Sequence, residues 1–223
     1  MEKLDENIWT VAAPLSFFGI ELGTRMTVVR LEDGGLWLHS PVEMTDELEA
    51  RVAELGEVAH VVAPSRFHHL YAGEWAEAFP EATLWGAPGL PEKRTDLEFD
   101  AVLTEDSPPW GDELEQMPIE GSKILREVVF YHRASRTLIT SDLFINEEDP
   151  PGLITKAYLW INGVLGEPGL SKILKTAYDD EEAARRSFER LLDWEFRRIV
   201  VAHGEVVEED ARAVLRRVID EAF

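Results

Sequence analysis

A chain of 223 residues with 45% hydrophobic residues and seven Trp is long and apolar enough to bury one sizeable core, which excludes a disordered polymer. No apolar run approaches the ~20 residues that span a bilayer, and the absence of Cys excludes disulfides and thiolate metal ligands. The 44 Asp and Glu against 22 Lys and Arg give a net charge of -22, which opposes binding to nucleic-acid phosphates or anionic membranes and leaves a small molecule as the expected partner. The opening MEKLDENIW has neither the basic nor the apolar region of a signal peptide, so the expected compartment is the cytoplasm. Acidity of this degree, with Lys scarcer than Arg, fits a salt-adapted surface and an acidic protein of ordinary habitat equally.

In chain order, residues 8–13 (IWTVAA) alternate as a half-buried strand and stop at Pro14. Residues 26–31 (MTVVRL) and 36–39 (LWLH) form a hairpin through the turn Glu32-Asp33-Gly34-Gly35. Residues 45–55 (TDELEARVAEL) spell an amphipathic helix capped by Thr45 and ended by Gly56. The run 60–63 (HVVA) lacks polar alternation, as a strand buried on both faces should, and Pro64 ends it. The adjacent His68 and His69 then fall in a strand-to-helix loop, ahead of a short helix over 74–79. Brief strands follow at 82–85 and 99–103, and 104–114 reads as loop. Residues 127–131 (EVVFY) and 137–140 (TLIT) pair through a polar turn and deliver Asp142 at the C-terminal end of the second strand. The stretch at about 147–178, rich in Pro and Gly around AYLWINGVL, reads as a lid-like insertion. A long amphipathic helix over 179–194 leads to a second fully apolar strand, 198–202 (RIVVA), which ends at His203-Gly204, and 208–222 is the last helix. No repeat or low-complexity segment divides the chain, so residues 1–223 are read as one domain.

Three strand ends thus carry candidate metal ligands: His68 and His69, Asp142, and His203. In open α/β sheets ligands sit at the C-terminal ends of strands. Imidazole nitrogen and carboxylate oxygen suit one divalent metal, zinc first, with iron or manganese as alternatives. Taken singly, each residue has a plainer reading: a chance His-His dipeptide in a solvated loop, a turn-capping Asp142, a turn histidine at His203. Of the other histidines, His60 is expected to be packed at the start of its strand and His132 solvated in its hairpin turn. Arg66, Tyr71 and Lys123 face either the site, where they would bind an anionic group, or solvent.

The order of a WTV strand, a TVVRL-turn-LWLHSP hairpin, a strand with an HH loop, an EVVFYH-turn-TLITSD hairpin and a RIVVAHG strand resembles the metallo-beta-lactamase superfamily, as a divergent branch. The resemblance covers the chain apart from the insertion. It implies an α/β, four-layer αββα sandwich with two mixed β-sheets. The superfamily's first motif is His-x-His-x-Asp-His; its last two positions fall on His68 and His69, and its first two histidines fall on Pro64 and Arg66. No histidine stands near Gly121-Ser122-Lys123, where the next metal ligand belongs, whereas Asp142 matches the bridging aspartate and His203 the final histidine. His39 falls where the superfamily often carries an aspartate; it reads first as a packed histidine, with an extra ligand as the alternative. What the resemblance implies is the second of two metal sites, with His68 in place of aspartate. The leading expectation is a metal-dependent hydrolase with a single-metal site and unassigned substrate and catalytic residues. The alternative is a non-catalytic relative that keeps at most one metal for binding or stability, and a redox enzyme using iron is a third class.

Overall fold

Strands that read as unbroken apolar runs are buried on both faces, and that burial sets the architecture of the computed structural model, which describes residues 1–104 and 108–223. In its first half the elements are β1 (Glu2–Asp5), β2 (Ile8–Ala13), β3 (Ser16–Phe17), β4 (Ile20–Glu21), β5 (Thr24–Arg30), β6 (Leu36–His39), α1 (Asp46–Ala53), β7 (Val58–Ala63), α2 (Ala72–Ala78), β8 (Thr83–Gly86), α3 (Leu90–Lys93) and β9 (Ala101–Val102). After a single 3-10 turn at Gly111–Glu113 come β10 (Leu114–Pro118), β11 (Val128–His132), β12 (Thr137–Ile139), β13 (Ile145–Asn146), α4 (Gly152–Asn162), α5 (Lys172–Lys175), α6 (Glu181–Leu191), β14 (Arg198–Val200), β15 (His203–Gly204) and α7 (Ala211–Ala222). The loop expected over 104–114 therefore contains the 3-10 turn, and its residues 105–107 lie outside the described residues.

Among the described residues, one sheet has seven strands in the order β1-β2-β5-β6-β7-β8-β9, antiparallel as far as β6 and parallel from β6 to β9. A second has four, β10-β11-β12-β14, with the β12–β14 pair parallel. Both sheets are mixed. Side chains alternate across each strand, and here successive residues serve different cores. Leu36 and Leu38 join a cluster with Leu48 and Val52 of α1, Trp75 of α2 and Leu90 of α3, while Trp37 between them joins Val62, Phe130 and Ile139 from both sheets. On the far face of the four-stranded sheet, Val129, Leu138 and Ile199 pack against Phe188 and Leu191 of α6 and Leu215 and Ile219 of α7. Helices, sheet, sheet, helices is the four-layer order that the resemblance implies.

Local signals explain the helix starts. Thr45 accepts from the Leu48 backbone N–H at 3.2 Å and Asp180 from that of Ala183 at 3.0 Å, satisfying donors that the first turn leaves free. His132 departs from its expected solvation: it closes β11 as a buried residue, and its Nδ1 meets Ser135 Oγ at 2.7 Å inside the turn. A polar sequence in the turn is compatible with burial because its hydroxyls pair with the ring rather than with water. His60 is half-buried and accepts from Trp85 Nε1 at 3.3 Å. Among the described residues, no helix is long and apolar enough to cross a membrane.

Candidate metal centre

β7 of the seven-stranded sheet and the parallel pair β12 and β14 of the four-stranded sheet lead into segments that carry His68, Asp142 and His203, which come together in space. Ligand atoms of these three residues all lie within 4.8 Å of one another. Asp142 Oδ1 is 3.3 Å from His68 Nε2 and 3.5 Å from His203 Nε2. The rings of the two histidines are tilted by 56° with their centroids 5.2 Å apart. All three side chains are buried.

Each is held from behind. His203 Nδ1 lies 2.8 Å from the Gly23 carbonyl oxygen; a carbonyl only accepts, so Nδ1 carries a proton, and Nε2, which faces Asp142, donates to that carboxylate when the ring is protonated and offers a lone pair when it is neutral. His68 Nδ1 meets Ser40 Oγ at 2.8 Å, the outer hydrogen bond that orients a metal-ligating imidazole. Ser40 directly follows β6 with a left-handed backbone at φ 52°, a conformation that costs a residue with Cβ on the order of 1 kcal/mol. The Asp142 loop is fixed by Glu127 at the foot of β11, whose Oε1 accepts from the Ser141 N–H at 2.6 Å and whose Oε2 accepts from the Asp142 N–H at 2.9 Å. Gly204 is required where β15 pairs with β13: at φ 87° a Cβ there would stand 1.9 Å from the Asn146 carbonyl oxygen.

The electrostatics favour an ionised Asp142 between two imidazoles. Burial pushes its carboxyl up, but the charges and hydrogen bonds of His68 and His203 together hold it well below the usual carboxylate range. Burial likewise works against a charged His203, and the hydrogen bond and charge of Asp142 reverse that and raise it. Glu127 is pushed up by burial and then by Asp142, against the two backbone donors that pull the other way. Asp142 Oδ2 is buried and has no hydrogen-bond partner among the described residues. An uncompensated buried carboxylate oxygen is costly, and a cation beside two Nε2 lone pairs would satisfy it. The donor set of two imidazoles and one carboxylate thus fits a divalent metal.

His69 sits differently. Its Nδ1 is 2.9 Å from Arg94 Nη1, and since a guanidinium only donates, Nδ1 accepts and the proton resides on Nε2. Burial, then Lys93 and Arg94, push this imidazole down to about 4, so it is neutral at pH 7. His69 lines the same cavity as His68, Asp142 and His203 but stands outside their cluster. His39 also stands outside: it is fully buried, stacked on Trp37 with ring centroids 5.5 Å apart, and burial, then His68, push it down to about 3. Arg66 donates to the Lys123 carbonyl at 3.0 Å, linking two of the segments in which the resemblance would place ligands for a further metal.

The cavity over the cluster has a volume of about 330 Å³ and takes in Tyr158 of α4 and Leu174 of α5, so the stretch at about 147–178 supplies part of its wall. A larger cavity of about 490 Å³, bordered by Arg25, Glu147 and Glu205, contains none of the three clustered side chains. Ser40, Glu127, Arg94 and Gly23 are the functional partners that sequence reading missed. Only Glu127 left a signal, as an acid opening an otherwise apolar strand.

No curated protein matches the chain in sequence. Among solved structures, the metallo-beta-lactamase from Pontibacter korlensis is similar with a TM-score of 0.68 and 16% identity, covering 98% of this chain and 97% of that one. A metallo-beta-lactamase from Erythrobacter litoralis gives 0.69 and 14% over 99% and 94%. The Flv1 flavodiiron core from Synechocystis sp. PCC6803 gives 0.68 and 13% over 97% of this chain and 58% of that one. At such identities the likeness shows the fold, which is that of the metallo-beta-lactamases. Residues 5–162, which contain His68 and Asp142 but not His203, match the family described as a domain of unknown function (DUF4336), and the chain belongs to that family.

Proposed function

We propose that the protein is a metal-dependent hydrolase with one divalent cation, zinc first, held by His68, Asp142 and His203. The observation that carries this reading is the convergence of two Nε2 atoms on a buried carboxylate whose Oδ2 has no hydrogen-bond partner among the described residues. Bound there, the cation would supply Lewis-acid activation of water and substrate. Ser40 and the Gly23 carbonyl keep the imidazoles turned toward it, and Glu127 keeps Asp142 in place. His69, neutral and protonated on Nε2, serves as a hydrogen-bond donor to the substrate carbonyl rather than as a ligand. Pro64 offers no ligand and Arg66 is cationic, which supports a single metal over a pair.

The test combines metal content with turnover on generic esters and phosphodiesters. Wild-type protein should hold one cation per chain by elemental analysis, and His203→Ala should lose it together with any activity. His69→Ala should keep the metal and lose turnover by about 10²-fold, the order expected for one transition-state donor, with partial recovery in His69→Gln. Turnover that survives chelation and His203→Ala would overturn the reading.

A further inference from the structure

We infer that the cavity over the cluster selects an uncharged substrate with a straight apolar chain, such as a medium-chain acyl ester; the hydrolytic part of this inference rests on the function proposed above. In a chain of net charge -22, the cavity wall holds, among the described residues, a single carboxylate, Asp142, which is engaged by two histidines, and a single cationic side chain of the Lys or Arg type, Lys93. Lys93 Nζ donates to the Arg66 carbonyl and lies 5.2 Å from the Phe67 ring centroid, so both charged side chains of that wall are engaged within the protein and neither is left to pair with a charged substrate. The remaining wall is largely apolar, with Phe17, Leu22, Leu70, Ile145 and Leu174 facing the same space. Phe17 is 50% exposed and Leu70 46%, although they come from segments far apart in the chain, β3 and the loop before α2. Large apolar side chains gathered in water around a polar centre mark a ligand surface. At ~30 Å³ per small group, 330 Å³ accommodates about eleven non-hydrogen atoms, the size of a medium-chain ester. The polar end of such a molecule meets His69 and the cluster, and its chain runs along the apolar wall. Hydrolysis would break the acyl carbon–oxygen bond, join the water oxygen to the acyl carbon and return a proton to the leaving alkoxide, giving acid and alcohol.

The test uses alkan-1-ols from butanol to octanol as uncharged, non-hydrolysable probes, measured by calorimetry on the full chain, beside kcat/KM for the matching ester series. Affinity should rise about fourfold per methylene until the cavity is full. Phe17→Asp and Leu70→Asp, at partly exposed positions, should each weaken hexanol binding at least tenfold while leaving the thermal midpoint unchanged. Trp160→Asp, on the exposed face of α4 outside the cavity wall, should leave binding intact and so exclude a surface patch. Alkanol binding that ignores chain length, or that is lost in Trp160→Asp and kept in Phe17→Asp, would overturn the inference. The two proposals fail separately. Chain-length-dependent alkanol binding with no ester turnover removes the hydrolase and keeps the apolar site, whereas equal kcat/KM across the ester series removes the apolar site and keeps the hydrolase.

Discussion

At the scale of single residues, the histidines show how one side chain serves opposite ends according to its neighbours. His203 gains from Asp142 and is raised, while His39, His69 and His132 are buried without a carboxylate partner and are lowered. His132, which is not part of the His68, Asp142 and His203 cluster, gives a clean pH prediction. Burial pushes it down to about 4, with Asp5 opposing weakly, from an unfolded value near 6.5. Between those values the unfolded chain binds a proton that the folded chain refuses. His132 therefore contributes stability fully above about pH 6.5, and that contribution is lost as pH falls toward 4. Between pH 6.5 and 5 the loss from this group is about 2 kcal/mol. His132→Gln cannot charge, so urea unfolding across that range should show a shallower fall in stability for the variant by about that amount. Parallel pH dependences for wild type and variant would remove His132 from the account.

At the scale of elements, the site depends on strand ends far more than on helices. Thr45→Ala removes the N-cap of α1 and should cost about 1 kcal/mol without altering metal content, because α1 lies on the outer face of the seven-stranded sheet. Gly204→Ala strikes β15 itself. Its Cβ would collide with the Asn146 carbonyl and force the pairing with β13 apart, so a loss of at least about 2 kcal/mol should accompany a loss of bound metal through displacement of His203. Equal metal content in both variants would break the link between β15 and the site. The same contrast explains what the sequence disclosed. Thr45, the apolar runs of β7 and β14 and the placement of His68, Asp142 and His203 at strand ends were legible because cap chemistry, periodicity and strand termination are local. The β3–β4 hairpin was not, since residues 16–21 (SFFGIE) carry no alternation and the hairpin is tied instead by the Glu21 N–H donating to Thr155 Oγ1 of α4 at 2.9 Å. Nor could spacing show that Arg94, 25 residues beyond His69, would take the lone pair of its Nδ1. Contacts that join distant segments decide tautomers, and no local pattern encodes them.

At the scale of the whole molecule, charge opposes the compactness that two packed sheets require. Forty-four acidic against 22 basic residues leave -22 on a folded surface, and folding brings those charges closer than the extended chain holds them. Local ion pairs exist, such as Arg186–Glu182 at 2.7 Å and Arg185–Glu189 at 2.8 Å on α6, but exposed helix pairs of this kind contribute only a few tenths of a kcal/mol each. Salt acts on both terms with opposite signs: it weakens the pairs and it screens the net repulsion. The pairs are short-ranged and mostly exposed, whereas the repulsion is spread over the entire surface, so screening the repulsion should win. Raising sodium chloride from ~0.05 M to ~1 M shortens the screening length from over 10 Å to about 3 Å. The thermal midpoint should rise by several degrees over that range, on the order of 1 to 2 kcal/mol for a chain of this size. Most of the gain should come at low salt, where the screening length changes fastest. Replacing Glu182 and Glu189 by Gln should also flatten the response, because it removes two of the repelling charges together with their small pairing energy. A midpoint that falls with salt would mean that specific ion pairs, not net charge, govern the stability of this fold.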